Sequence, residues 1–247
     1  MGRITDTVKF LLILNVIFYI GSFIIGDLSI KLFALYYFEN PNFQYWQPIT
    51  HMFMHDPSSI FHILFNMYAL WAFGSPLEMR WGQKKFLFFY FSAGLGAAII
   101  HTLVNYFQIH SVMDALIAGG WSEAEVMSYL SGGNGGSRAV LDTVSMENIQ
   151  AMAQSYNGVA LGASGAVYGI LVAFGIMFPN IELMLIFLPI PIKAKYFIPG
   201  IILLDLIFGI TGTATGIAHW AHIGGALFGF IMAWYWKKNS FDNHRWN

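Results

Sequence analysis

The chain contains no cysteine among its 247 residues, which excludes disulfides, thiolate-bound metals and a cysteine nucleophile. Charge is also scarce: 10% of residues are Asp, Glu, Lys or Arg, against 57% hydrophobic. The 12 basic residues are dispersed and the formal net charge is −1, so there is no basic field for nucleic acid. A soluble globule of this size needs more polar side chains to cover its surface, and this composition belongs in a lipid bilayer. No His-Glu dipeptide occurs, which removes the His-Glu-x-x-His helix of a metalloprotease. Asp205 is the only clear aspartate inside an apolar run, so an aspartyl protease pair and a charged transport pathway are both missing. No internal repeat is evident, and the chain reads as one domain.

What is present is a series of apolar runs. Six are long enough to cross a bilayer, at about 10–26, 60–77, 86–106, 158–178, 196–212 and 215–236. The fold class this predicts is an all-α membrane bundle. The stretch from Ile181 to Ile192 is apolar but short and broken by Pro189 and Pro191, which predicts an interfacial segment rather than a seventh span. Arg3 and Lys9 precede the first run and no small-residue cleavage site follows it, so a retained anchor is expected. Basic residues collect on the cytoplasmic side of membranes. With six spans, Arg3, Lys9, Arg80, Lys84, Lys85, Lys193, Lys195, Lys237, Lys238 and Arg245 share one side, leaving only Lys31 and Arg138 opposite. Both termini are therefore expected in the cytoplasm. The outer segment at about 107–157 holds a capping box at Ser122 and Glu125, a break at Gly132–Gly136 and a helix-prone run near Ser145–Tyr156, which predicts a small folded cap.

Three clusters carry candidate chemistry. Gly162-Ala163-Ser164-Gly165 opens the fourth run with a serine whose neighbours leave its hydroxyl accessible. Ala218-His219-Trp220-Ala221-His222-Ile223-Gly224-Gly225 opens the sixth, where an imidazole in hydrocarbon is costly unless it is paired. His222 shares a helix stripe with Gly225 and Gly229, a stripe able to approach Gly165 and Gly169 closely. That approach would bring Ser164 and His222 into hydrogen-bond reach, which is how a hydroxyl nucleophile is activated. His219 reads instead as a packing or water-facing residue near the outer rim. His62 and Asn66 sit one turn apart on the second run, and both side chains can donate to an oxyanion. On a helical rise of about 1.5 Å per residue, Ser164, His222 and Asn66 lie roughly 9–10 Å from the outer end of their runs and His62 roughly 3 Å.

These elements resemble the rhomboid protease family. His62-Ile63-Leu64-Phe65-Asn66 is similar to its HxxxN element, Gly162-Ala163-Ser164-Gly165 to its GxSG element, and Ala221-His222-Ile223-Gly224-Gly225 to its AHxxG element, in the family's order. Tyr168 matches the tyrosine beside the family's histidine, and Glu78-Met79-Arg80-Trp81-Gly82 its ExRxG turn. The similarity covers about Trp46 to Trp236. The resemblance implies a six-span rhomboid bundle in the cell membrane whose active site opens to the extracytoplasmic side. It also implies cleavage of transmembrane protein substrates by a dyad, with no metal or cofactor. Ser164 would be the nucleophile, His222 the general base and acid, and His62, Asn66 and the Ser164 amide the oxyanion donors. Tyr168, Gly162 and Gly165 would support them. Because the family's dyad has no acidic member, Asp205 is left without a role and without a named partner. A gate between the second and fifth spans would involve Phe65, Phe197 and Phe208. One departure is Trp46-Gln47, where the family often has Trp-Arg; losing that cation predicts a retuned first outer loop. His51 and His55 have the spacing of metal ligands but fall where the family has structural loop histidines. The rival reading is an inactive rhomboid-like protein that binds membrane clients without cutting them.

Overall fold

The computed structural model describes residues 3–185, 188–212 and 217–239; Arg245 and the start of the sixth apolar run lie outside them. Helix α1 (Asp6–Ile25) is followed by α2 (Asp27–Phe33) and α3 (Gln47–Thr50). Next come α4 (Ile60–Ala69), a wide π-type turn at Leu70–Gly74 and α5 (Ser75–Trp81), which form one continuous rod. Helices α6 (Gln83–Ala118), α7 (Glu123–Leu130) and α8 (Met146–Asn157) lead to α9 (Ser164–Met177). A hairpin of β1 (Glu182–Leu185) and β2 (Leu188–Lys193) precedes α10 (Ala194–Thr211) and α11 (His219–Asn239).

Four of these elements are long and apolar enough to cross a membrane: Asp6–Ile25, Ile60–Trp81, Gln83–Ala118 and Ala194–Thr211. Helix α9 has 14 residues and falls short of that length. Its residues are apolar on every side, which suits a helix enclosed by other helices rather than by lipid. Gly165, Ala166, Val167, Gly169, Ile170, Leu171, Val172, Ala173 and Phe174 are all buried.

Glycine decides how closely α9 and α11 approach. A methyl group added at Gly225 would lie 1.8 Å from the Gly165 carbonyl oxygen, and one at Gly229 would lie 2.5 Å from Gly169 Cα. The two backbones touch along the stripe read from the sequence, as in other membrane helix pairs built on small residues. On its other side α11 meets α6, where a methyl group at Gly224 would lie 2.8 Å from the Gly96 carbonyl oxygen.

Helix α6 continues well past the expected end of the third run, to Ala118. Its outer turns leave the apolar pattern but do not unwind, because Ile109 and Leu116 are buried beneath Trp121, Val126, Leu130, Val140, Ile149, Met152, Tyr156 and Tyr37. The cap is thus a small core of its own. Its capping box is formed: the Ser122 amide donates to Glu125 Oε2 at 2.7 Å, and the Glu125 amide to Ser122 Oγ at 3.3 Å.

The stretch read as interfacial is an antiparallel hairpin in register Glu182 with Lys193 and Leu183 with Ile192, the one sheet among the described residues. Pro189 and Pro191 fall on β2, which among the described residues pairs with β1 alone and is thus an edge strand, the place where a sheet tolerates proline. At the same end of the molecule Glu78 accepts the Thr7 and Val8 amides of α1, each at 2.9 Å, and the Thr5 hydroxyl. A carboxylate on the first turn of α1 satisfies amides that no helical carbonyl reaches and complements the helix dipole.

Candidate active site

Residues 158–163 lie outside any helix: a backbone bridge at Ala160 is followed by a bend at Gly162 and a single αR residue at Ala163. Ala160 exchanges both backbone hydrogen bonds with Leu35 at 2.9 Å, and the Gly162 amide donates to the His51 carbonyl at 2.9 Å. Helix α9 therefore begins at Ser164 itself, so the serine follows a non-helical segment and does not lie partway down a helix. Gly162 has φ +123°, a conformation that L side chains rarely adopt. Space excludes a side chain as well: a methyl group there would lie 2.8 Å from His62 Nε2 and 3.6 Å from Ser164 Oγ.

The glycine contact between α9 and α11 places Ser164 Oγ 2.9 Å from His222 Nε2. Tyr168, one turn along α9, stacks on the His222 ring with centroids 4.1 Å apart and planes 11° from parallel. His62 Nδ1 accepts the Asp56 amide at 3.3 Å, which leaves its Nε2 as the protonated nitrogen facing Gly162. Asn66 Nδ2 donates to the His62 carbonyl at 2.8 Å, so one of its two amide hydrogens is engaged by its own helix. His62, Asn66, Ser164 and His222 share the wall of a cavity of about 480 Å³, together with Phe61, Phe65 and Val159. A larger apolar groove of about 580 Å³ between α9, α10 and α11 contains none of these four.

Two residues find partners that the sequence left unnamed. Asp205, left there without a partner, accepts hydrogen bonds from three side chains. His222 Nδ1 lies 3.1 Å and His219 Nδ1 2.5 Å from Oδ1, and the Tyr168 hydroxyl donates to Oδ2. His219 is not water-facing: it is 7% exposed, beside His222 at 8% and Asp205 at 6%. The signal available was the need of any in-span carboxylate for donors, combined with two histidines one turn apart on the next helix. Asp205, His219 and His222 also offer atoms within 4.8 Å of one another, the spacing of a metal site. The Asp205 and His219 atoms, however, are at hydrogen-bond separation.

The first outer loop is ordered without the missing cation. Gln47 is fully buried; its Nε2 donates to the Lys31 and Asn42 carbonyls at 3.0 Å and its Oε1 accepts the Tyr36 amide at 3.3 Å. His51 Nδ1 donates to the Gln47 carbonyl at 2.9 Å, and the His55 ring meets the His62 ring edge-on at 5.0 Å. Burial lowers His51 to about 4 and His55 to about 3, with the nearby His62 adding to the effect at His55, so both are neutral at ordinary pH. Of the gate residues, Phe65 and Phe208 are exposed; Phe65 lines the cavity and the Phe208 ring lies 5.5 Å from that of His219. Phe197 packs into the main core two turns inward of Asp205, roughly 12 Å away along α10.

The rhomboid domain family model matches residues 42–141 and 126–239. The chain is 30% identical over 178 residues to the presenilin-associated rhomboid-like protein, mitochondrial, of Bos taurus, covering 72% of this chain and 34% of that protein. It is 26% identical over 199 residues to rhomboid protease AarA of Providencia stuartii, covering 76% and 55%. Against rhomboid protein 1, mitochondrial, of Saccharomyces cerevisiae it is 26% identical over 184 residues, covering 72% and 38%. The chain thus spans between about a third and about half of the length of these relatives. With the family model covering most of the sequence and the motif residues gathered around one cavity, this chain belongs to the rhomboid family.

Proposed function

We propose that the chain is an intramembrane serine endopeptidase that cleaves transmembrane or membrane-proximal segments of other membrane proteins. The observation that carries this reading is the 2.9 Å hydrogen bond between Ser164 Oγ and His222 Nε2 at the wall of an open cavity. In the reaction His222 Nε2 takes the hydroxyl proton as Ser164 Oγ attacks the scissile carbonyl. The oxyanion is met by His62 Nε2–H, by the free amide hydrogen of Asn66 and by the Ser164 backbone N–H at the start of α9, where the helix dipole also favours negative charge. His222 returns the proton to the leaving amine, and water then hydrolyses the acyl-enzyme by the same steps in reverse.

In this reading the whole chain is one rhomboid membrane domain of six spans, with α9 and α11 as the fourth and sixth. Enclosure by α6 and α10 supports counting them, because a span surrounded by protein need be neither long nor uniformly apolar. The distribution of basic residues supports cytoplasmic termini and a site open to the extracytoplasmic side of the cell membrane. Substrates enter past Phe65 and Phe208.

The test is cleavage of a panel of single-span substrates in liposomes by the wild type and by Ser164→Ala. A fluorophosphonate should label Ser164, and His222→Ala should abolish labelling. Activity surviving Ser164→Ala would overturn the assignment. Substrate capture without products would instead establish the inactive, client-binding reading. Because the chain has no native cysteine, single engineered cysteines at the termini report sidedness directly. Recovery of a tagged chain in a mitochondrial fraction would overturn the cell-membrane placement.

A further inference from the structure

We infer that Asp205 is a positioning residue for His222, so that a serine, a histidine and an aspartate form a relay here in which the acid comes from the fifth apolar helix. The inference rests on the protease reading above and adds a part to it.

The geometry fixes hydrogen positions. An ionised carboxylate only accepts, so His222 Nδ1, 3.1 Å from Asp205 Oδ1, must carry a proton. A neutral imidazole with its proton on Nδ1 has a bare Nε2, and that nitrogen is 2.9 Å from Ser164 Oγ. This is the tautomer a general base needs; the other places a hydrogen between Nε2 and the serine and cannot accept its proton. Asp205 is held in turn. His219 donates to the same oxygen, and the Tyr168 hydroxyl occupies the other while its ring stacks on His222. Asp205, Tyr168 and His219 thus surround the imidazole, and His62 and His101 lie within electrostatic range of it. When His222 takes the serine proton, the carboxylate sits beside the positive charge that forms. No proton needs to reach Asp205, and the step balances with the serine proton on Nε2 alone.

The same atoms pose a metal site as the competing reading, and the experiment separates the two. Wild-type protein with ¹⁵N-labelled histidine, its His222 signals assigned by their loss in His222→Ala, should show Nδ1 protonated and Nε2 bare at neutral pH. In liposomes Asp205→Asn should lower kcat by about a hundredfold. That is less than the roughly ten-thousandfold loss for a soluble-protease carboxylate, because Tyr168 still stacks on the ring. KM should stay within about twofold and the thermal unfolding midpoint near wild type, since substrate binding is not touched. Asp205→Glu should recover part of the rate. An Nε2–H tautomer, or undiminished kcat in Asp205→Asn, overturns the inference even if Ser164→Ala is inactive. A stoichiometric metal that disappears in Asp205→Asn also overturns it. Cleavage surviving Ser164→Ala would overturn the protease reading instead, and the imidazole spectrum would still decide the tautomer. Should Asp205→Asn not fold, that spectrum remains the deciding measurement.

Discussion

Two regions of this molecule hold their shape by opposite means. At the seam between α9 and α11 the backbones touch, and position is set by the absence of side chains at Gly165, Gly169, Gly225 and Gly229. In the outer cap, Trp121, Val126, Leu130, Ile149 and Tyr156 fill a core like that of a small soluble protein, with formed N-caps at α7 and α8. A seam without side chains has nothing that can repack, whereas a core of side chains can adjust rotamers. Ser164 and His222, the pair proposed to react, sit at the seam, so under that proposal chemistry should be brittle there and tolerant in the cap.

The largest effect expected is at the seam. Gly225→Ala places a methyl group 1.8 Å from the Gly165 carbonyl, and relieving that contact must separate Ser164 from His222. A misplacement of about 1 Å costs on the order of a hundredfold in rate, so fluorophosphonate labelling of the folded variant should slow by at least that much. Unchanged labelling would show that the seam is softer than its geometry.

Next come His62 and Asn66, which reach the cavity from α4. His62→Ala and Asn66→Ala should each lower kcat by about tenfold to a hundredfold with KM little changed, since two donors remain. The double variant should lose less than the product of the two. A rise in KM at wild-type kcat would assign the pair to substrate binding.

The pH response is smaller and lies in the first outer loop. His51 and His55 are neutral when folded and titrate at the ordinary value of 6.5 when unfolded. Below that value the unfolded chain takes up protons that the folded loop refuses. Stability should fall by about 1.4 kcal/mol per pH unit for each histidine. The loss should end near pH 4 for His51 and near pH 3 for His55. Unfolding midpoints measured across this range should depend less on pH in His55→Asn, and an unaltered slope would disprove the assignment.

Smallest of all is Ser122→Ala in the cap. It should cost about 1 kcal/mol of local stability, read as faster amide exchange in α7, with kcat unchanged. A fall in kcat would mean that the cap is coupled to the seam.

Much of the seam was legible in sequence because its determinants are local: a glycine stripe at helical spacing, a serine between glycines, a histidine in an apolar run. His62 and Asn66 were legible for the same reason. The partners of Asp205 were not, because its pairing depends on how α10 is rotated against α11, which no short window encodes. For His219 the sequence left packing and water-facing open, and the acid on the neighbouring helix decides for packing. The length of α6 was also hidden: beyond about residue 106 its apolar run is interrupted by Gln108, His110, Ser111 and Asp114, and only the burial of Ile109 and Leu116 under the cap shows why the helix continues. Gln47 shows the means that the sequence could not: where the cation is missing, a side-chain amide satisfies three backbone groups.

Asp205 also bears on how the protein is made. A helix leaving the insertion machinery alone with an ionised carboxylate near its centre faces a penalty of about 2.5–3.5 kcal/mol. The donors that offset it belong to α9, made earlier, and to α11, made later. Helix α10 is therefore an unwilling solitary passenger: Tyr168 can shelter its acid as it emerges, but the two histidines arrive only with the next segment. Biosynthesis of α10 and α11 is in this sense one event, and a nascent chain halted between them should be held at the translocon rather than released into lipid.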